Sequence, residues 1–310
     1  MLARVANNLF WMGRYLERTE HIARYLNVNY FSSFDAPNET SQSRQFVLNS
    51  IVRMVDDDPE KETVLFEKKV LFDAALNDEK IFSIKSYFRM ARDNASSARD
   101  MISTELYESI NKLHHYINNY SIEYFTERGL DEFTTYVSKA VSQIKANIVT
   151  TMMHDDTYAI IHLGINLERA TDVIRIIDTK YKDALSVQNE TDFATSYEWT
   201  ILLKCIQSFD MMKRHYKKAP TSKNTLDFLI LNPECPKSVM SCLNNAKCQI
   251  DYLNKNHHSL SSAFLIGKLR AKYHYKRINE IEIGFDKFIQ EIISELDEIC
   301  ISIEDELFKH

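Results

Sequence analysis

Trp11-Met-Gly-Arg-Tyr-Leu-Glu-Arg-Thr-Glu-His-Ile-Ala-Arg24 has a second copy in the same chain, His162-Leu-Gly-Ile-Asn-Leu-Glu-Arg-Ala-Thr-Asp-Val-Ile-Arg175, 151 residues further on. Five positions are identical: Gly13 and Gly164, Leu16 and Leu167, Glu17 and Glu168, Arg18 and Arg169, Arg24 and Arg175. Around the first copy, Leu9, Met12, Leu16, Thr19, Ala23 and Leu26 follow a 3-4-3-4-3 spacing; Ile160, Leu163, Leu167, Ala170, Ile174 and Ile177 do the same around the second. That spacing is the apolar seam of a helix packed in a bundle. It predicts helices over 3–28 and 157–184.

Reading outward, the pattern predicts further helices over 43–54, 60–76, 83–101, 103–118, 132–153, 196–218, 221–230, 236–256, 260–281 and 285–308. Ser83 and Ser103 stand as capping residues. Gly129 is expected to break the chain, Pro236 to open a helix at its first position, and 32–41 and 187–194 to be connectors. No strand alternation and no hairpin dipeptide occurs. The fold class expected is all-α, a bundle of about ten helices. One helical unit over 1–310 is expected, and a duplication into 1–150 and 151–310 would set the two Glu-Arg helices about a pseudo-two-fold axis. A fainter likeness pairs Ser97 with Ser238 at an offset of 141.

Bulk composition narrows the class. Apolar residues make up 45% and charged residues 26%, ordinary values for a globular chain. Five Gly and five Pro are few, which suits long helices. A net charge of -6 argues against a dedicated nucleic-acid binder, and no apolar run approaches a membrane span. The N-terminus has no signal-peptide pattern. Five cysteines with no CxxC read as reduced, buried thiols, so the expected compartment is the cytoplasm.

The chemistry concentrates in the repeated stretch. On a helical wheel Gly13, Glu17 and Arg24 lie near one line beside the apolar seam, at its half-buried edge. Helical side chains lean toward the N-terminus, so Glu17 hangs over the notch left by Gly13, and Glu168 over that of Gly164. A mid-helix Gly costs about 1 kcal/mol against Ala, so either another backbone or a ligand comes close there. Two readings stand side by side. In one the charges are register-fixing ion pairs, Arg24 with Glu20 and Arg175 with Asp172. In the other Glu17 and Glu168, with Arg14, Arg18, Arg24, Arg169 and Arg175, line a cleft for a carboxylate or phosphate, and either Glu could be an acid or base.

Other clusters are weaker. His114-His115 and His257-His258 point about 100° apart and read as solvated. His154, Asp155, Asp156 and His162 fit no recognised metal spacing, so no metal is expected. Lys268, Arg270, Lys272, Lys276 and Arg277 read as a solvated basic face. No nucleotide or dinucleotide fingerprint occurs, and no cofactor is expected.

With these residues the chain resembles the alpha-E family, a bacterial all-helical domain named for its Glu-Arg motif. The opening Met1-Leu-Ala-Arg-Val-Ala with Trp11 to Arg18 carries the likeness. So do Ala91-Arg-Asp-Asn-Ala-Ser-Ser-Ala-Arg, Leu163 to Ala170, and Phe228-Leu-Ile-Leu-Asn-Pro-Glu-Cys-Pro-Lys-Ser-Val. Two places depart from the family pattern: Ile165-Asn166 stands where Arg-Tyr is common, and His154-Asp155-Asp156 where Arg-Asp-Glu is usual. The resemblance implies a setting beside an ATP-grasp ligase, with a transglutaminase-like peptidase nearby, in making, modifying or breaking down a peptide. Glu17, Arg18, Glu168 and Arg169 are the motif residues carried over, supported by Arg14, Arg24 and Arg175. The expectation is an accessory or substrate-binding partner of the ligase; an enzyme using Glu17 or Glu168, and a purely structural scaffold, are the alternatives.

Overall fold

Helix α1 (Ala3–Ser32) and helix α8 (Asp156–Ser186) form the centre of the molecule. A computed structural model describes residues 2–34, 43–55, 64–186, 192–254 and 261–309. Every member of both predicted seams is buried, from Leu9 to Leu26 and from Ile160 to Ile177. The charged side is buried as well: Gly13, Arg14, Glu17, Glu20, His21 and Arg24 are all inside. The half-exposed edge expected for these residues is therefore corrected. Both helices are buried over most of their circumference, because other helices cover much of the surface that their own seam leaves; Arg18, Arg169 and Arg175 stay half-buried.

The first half continues with α2 (Arg44–Val55), α3 (Glu67–Ala75), α4 (Ile84–Ser97), α5 (Thr104–Asn119), the one-turn α6 (Ile122–Tyr124) and α7 (Leu130–Thr151). After α8 come α9 (Asp192–Cys205), α10 (Phe209–Tyr216), the short α11 (Ser222–Leu226), α12 (Val239–Asn254), α13 (Ser261–His274), α14 (Ile278–Ile283) and α15 (Phe285–Leu307). The described residues contain no strand. The described residues hold fifteen helices against twelve expected segments, because two long segments are each divided and the one-turn α6 precedes α7. The 196–218 segment stops at Cys205, since Gln207 takes a left-handed φ of 56°. The 260–281 segment stops at His274 and resumes at Ile278.

Local signals explain several ends. The hydroxyls of Ser83 and Ser103 accept from the amides of Ser86 (3.0 Å) and Leu106 (3.1 Å), so both expected caps form. Gly129 breaks nothing. It closes a π-turn, Phe125–Gly129, that runs straight into α7, and its missing side chain leaves room for the Tyr120 and Tyr124 rings. Pro236 is not a first helical residue; α12 starts at Val239, with Ser238 Oγ accepting from the Ser241 amide at 3.0 Å. Of the expected connectors at 32–41 and 187–194, residues 35–41 and 187–191 lie outside the described residues, and 192–194 are corrected to the first turn of α9. The helix expected over 60–76 is corrected to a start at Glu67, since 64–66 are not helical and 60–63 lie outside the described residues.

The packing is reciprocal. Helix α4 packs on α1 as α12 packs on α8, α5 joins α4 to α7 as α13 joins α12 to α15, and α2 and α9 each touch both central helices. The buried positions keep a constant step of 155 residues: Ser83 and Ser238, Ile84 and Val239, Phe88 and Leu243, Ala91 and Ala246. The same step relates Phe133 to Phe288, Val137 to Ile292, Val141 to Leu296, Ile144 to Ile299 and Ile148 to Ile303. Ser238 therefore corresponds to Ser83, not to Ser97: both are caps, and Ser97 is the last residue of α4.

Candidate functional site

The two central helices run parallel, because contacts rise together along both: Phe10 meets Gly164, Arg14 meets Glu168, and His21 meets Asp172. What enters the notches is backbone. A Cβ on Gly13 would stand 2.5 Å from the carbonyl oxygen of Ile161, and one on Gly164 would come closer still to that of Phe10. Phe10 and Ile161 are themselves equivalent positions, so each glycine receives the other helix at the same place. Close approach of this kind needs glycine on both helices.

Past the glycines the charges cross over. Glu168 accepts from Arg18 Nε at 2.5 Å and Nη2 at 3.2 Å, and Glu17 accepts from Arg169 Nε at 2.6 Å and Nη2 at 3.0 Å. Each Glu-Arg pair of the sequence is thus split, the Glu of one helix binding the Arg of the other in a fork. His21 lies between the two groups, its Nδ1 2.7 Å from Asp172 Oδ2 and its Nε2 3.6 Å from Glu17 Oε1.

Each carboxylate has a second cation, from a different source. Glu168 also takes Arg14 Nε at 2.5 Å. In the second copy Arg14 is replaced by Ile165, and Glu17 is met instead by Lys145 of α7, which also binds Glu20. One step of 155 residues from Lys145 stands Cys300, beside Arg14 and Glu168. A cation missing from one helix is therefore supplied by another, and the place opposite it holds a neutral thiol.

Both motif carboxylates are 0% exposed. Burial alone would raise them, but the cations outweigh it. Arg14 and Arg18 hold the Glu168 carboxyl down at about 2, and Arg169 with Lys145 holds Glu17 well below the usual carboxylate range. Asp172 goes the other way, raised by burial against the pull of His21.

The expected residues therefore gather into two groups. Arg14, Arg18 and Glu168 form one, packed against aromatic rings: Arg14 lies over Trp11 at 4.5 Å and Arg18 over Tyr87 at 5.3 Å. Arg175 is half-buried on this side, near Tyr87. Glu17, Arg169 and Arg24 form the other. There Arg24 Nη2 donates to Glu20, the pairing expected within the helix, and Lys237 Nζ sits 3.4 Å from the same Glu20 oxygen. Lys237 also donates to Gln207 Oε1 at 2.9 Å. Burial, with Arg24 and Lys145 nearby, lowers Lys237 to about 8 against the pull of Glu20 and Glu17.

Lys145, Lys237 and Gln207 escaped sequence reasoning. Lys237 had a trace in the Pro-Lys-Ser block that carries the family likeness; Lys145 had none, sitting on a helix whose apolar spacing says nothing of its polar flank. A further buried network also went unseen. Lys180 is fully enclosed, 2.9 Å from Asp183 and 3.2 Å from Glu198, while Ser50 and Arg53 of α2 complete the shell of Asp183.

The weaker clusters resolve simply. His154 is exposed and stacks on Tyr158, whose ring lies 4.1 Å from that of His162; Asp155 caps α8 through the Thr157 amide. Among the described residues no group of His, Cys, Asp and Glu could hold a metal. Lys272 of the basic run is neutralised by Glu291 and Glu295. Four of the cysteines are buried, but Cys248 is exposed, against expectation. His115 is exposed and His114 bonds Asn118; His257 and His258 lie outside the described residues. No described helix is long and apolar enough to cross a membrane.

A family model matches residues 1–308: Alpha-E, described as "a predicted alpha-helical domain with a conserved ER motif". No curated protein and no solved structure matches the chain.

Proposed function

Because the chain belongs to the Alpha-E family, we propose that it works as a non-catalytic helical partner of an ATP-grasp ligase, holding a peptide by an anionic group while the ligase performs the chemistry. The observation that carries this reading is the state of the two motif carboxylates. Glu17 and Glu168 are fully buried and each is shared by two cations. A general acid or base must exchange its proton with substrate near working pH. Carboxylates held far below that range by fixed partners, out of reach of solvent, do not suit the role. Their crossed pairing suits a frame instead: it fixes the register of α1 on α8, as buried pairs can, with little net gain in stability.

The filled notches at Gly13 and Gly164 favour the same division of labour, with the Glu-Arg motif as the frame and the ligand bound at its margin. We read 1–150 and 151–310 as two copies of one helical unit closed around that frame. The setting, in the cytoplasm beside the ligase and a transglutaminase-like peptidase, rests on the family likeness of the motif blocks.

Reconstitution tests the role. Ligase, ATP and peptide are incubated with and without this chain, and product is followed by mass. The expected result is that product forms at least tenfold faster when the chain is present. Equal rates without it overturn the proposal, and so does turnover of the peptide by the chain alone.

A further inference from the structure

We propose that the Glu17 side of the central pair is a binding site for one compact oxyanion, a carboxylate or phosphate group, held by Arg24, Lys145 and Lys237. The inference rests on the binding role above and says where the ligand's charge sits.

Three observations carry it. The first is charge. Around Glu17 and Glu20 stand Arg24, Arg169, Lys145 and Lys237, four cations facing two carboxylates. The side chains of all four are 17% exposed or less. An excess of buried charge of one sign is unfavourable until a counter-charge joins it.

The second is an idle donor. Arg24 is 6% exposed; its Nη2 serves Glu20, while its Nη1 is buried and donates to no group. Guanidinium forks are built to meet planar or tetrahedral oxyanions with two donors. Here one tine is used. Glu20 Oε1 is shared by Arg24 Nη2 and Lys237 Nζ, so the guanidinium that carries the idle nitrogen and the lysine meet at one carboxylate oxygen.

The third is an internal comparison. The molecule builds the same frame twice, and the other copy does without three of these charges. Thr171 stands at the place of Glu20, Cys300 at that of Lys145 and Phe82 at that of Lys237. Lys145 has a framing duty, serving Glu17 as Arg14 serves Glu168. Glu20 and Lys237 have none that the second copy requires.

Access runs along the Lys237 side. Gln207 is exposed, and its left-handed backbone angle is one where glycine is the usual residue. A glutamine there keeps a side-chain oxygen over the Lys237 ammonium. An entering oxyanion takes that oxygen's place, and Lys237 swings inward with it to meet Arg24.

Thermal unfolding of the full chain at pH 7 in sodium phosphate, sodium acetate and sodium chloride, matched in ionic strength, tests the site. A ligand that binds only the folded form raises the midpoint in a saturable way. The expected result is such a rise in phosphate, acetate or both, above chloride. A rise in phosphate alone identifies a phosphorylated ligand, and one in acetate alone a carboxylate. Lys237→Phe installs the residue that the other copy carries, and should weaken the apparent affinity roughly tenfold or more, the usual worth of a charged hydrogen bond. Lys237→Gln serves if that variant does not fold. Lys272→Met, on α13 and paired with Glu291 and Glu295 rather than with any group of the site, should leave the response unchanged. No rise above chloride, or undiminished affinity in both Lys237 variants, overturns the site. Ligation that depends on the chain without any anion response would remove the site and leave the partner role standing; an anion response without any effect on ligation would do the reverse.

Discussion

At the scale of single residues, the two glycines decide how near the central helices come. Helix propensity favours alanine over glycine by about 1 kcal/mol, so Gly13→Ala would stabilise an isolated helix. In this protein the new Cβ would press on the Ile161 carbonyl oxygen, a backbone atom that cannot swing aside. Overpacking of this kind costs about 1–3 kcal/mol. Gly13→Ala and Gly164→Ala are each expected to lower stability by about that much, read as a shift of the urea midpoint. An unchanged or raised midpoint would mean that the helices can part without loss. The notch itself was legible in the sequence, since a mid-helix Gly under a Glu is plain on a wheel. What fills it was not, because the wheel of one helix carries no information about the partner at the same height.

At the scale of elements, α7 supplies a cation that α8 does not carry. Lys145 meets Glu17 where Arg14 meets Glu168 in the other copy and Ile165 cannot, so positions 145 and 165 should be energetically coupled. Lys145→Cys, which copies Cys300, removes one of two partners of a buried carboxylate and should cost about 3–5 kcal/mol. Ile165→Arg on that background would restore a cation at the place Arg14 holds in the first copy. The double variant is expected to regain at least 1 kcal/mol over Lys145→Cys, measured as a double-mutant cycle by chemical denaturation. Strict additivity would show that Lys145 serves something other than Glu17. The contrast also marks what a sequence can disclose about elements. The seams from Leu9 to Leu26 and from Ile160 to Ile177, and the caps at Ser83 and Ser103, obey short-range rules and were read correctly. The divided helix at Gln207 and the π-turn at Gly129 carry no sequence signal of the usual breaking kind, and the reach of Lys145 to Glu17 depends on a neighbour far away along the chain. The 155-residue step was hidden for the same reason: its matches are of apolar type rather than identity, and they stand out only once burial selects them.

At the scale of the whole molecule, the enclosed carboxylates link stability to pH. Glu168 is held at about 2 against an ordinary value of 4.5, and Glu17 and Glu20 are also lowered. A carboxyl lowered in the folded state contributes stability that is complete above its unfolded value and is lost as pH falls through the folded one. His162 adds to the same trend: burial keeps it neutral down to about 4 against an ordinary 6.5, so the unfolded chain takes up that proton first. Below about pH 6.5 stability should decline gently to about 4.5 and fall steeply from there toward about 2. Denaturant midpoints across that range check it. Glu168→Gln should flatten the steep limb, and a steep limb of full size in that variant would place the acid sensitivity elsewhere.

The parallel pairing of α1 and α8 also has a meaning in time. The residues that meet in it stand about 150 positions apart in the chain, so a ribosome adding roughly 5–20 residues per second finishes the first helix roughly 8–30 s before its partner is complete. Throughout that interval Glu17 lacks Arg169, and Gly13 presents bare backbone to whatever is near. The nascent first half, with a charged and apolar face awaiting closure, is the stage at which this protein is most exposed to chaperones and to misassembly with a neighbouring copy.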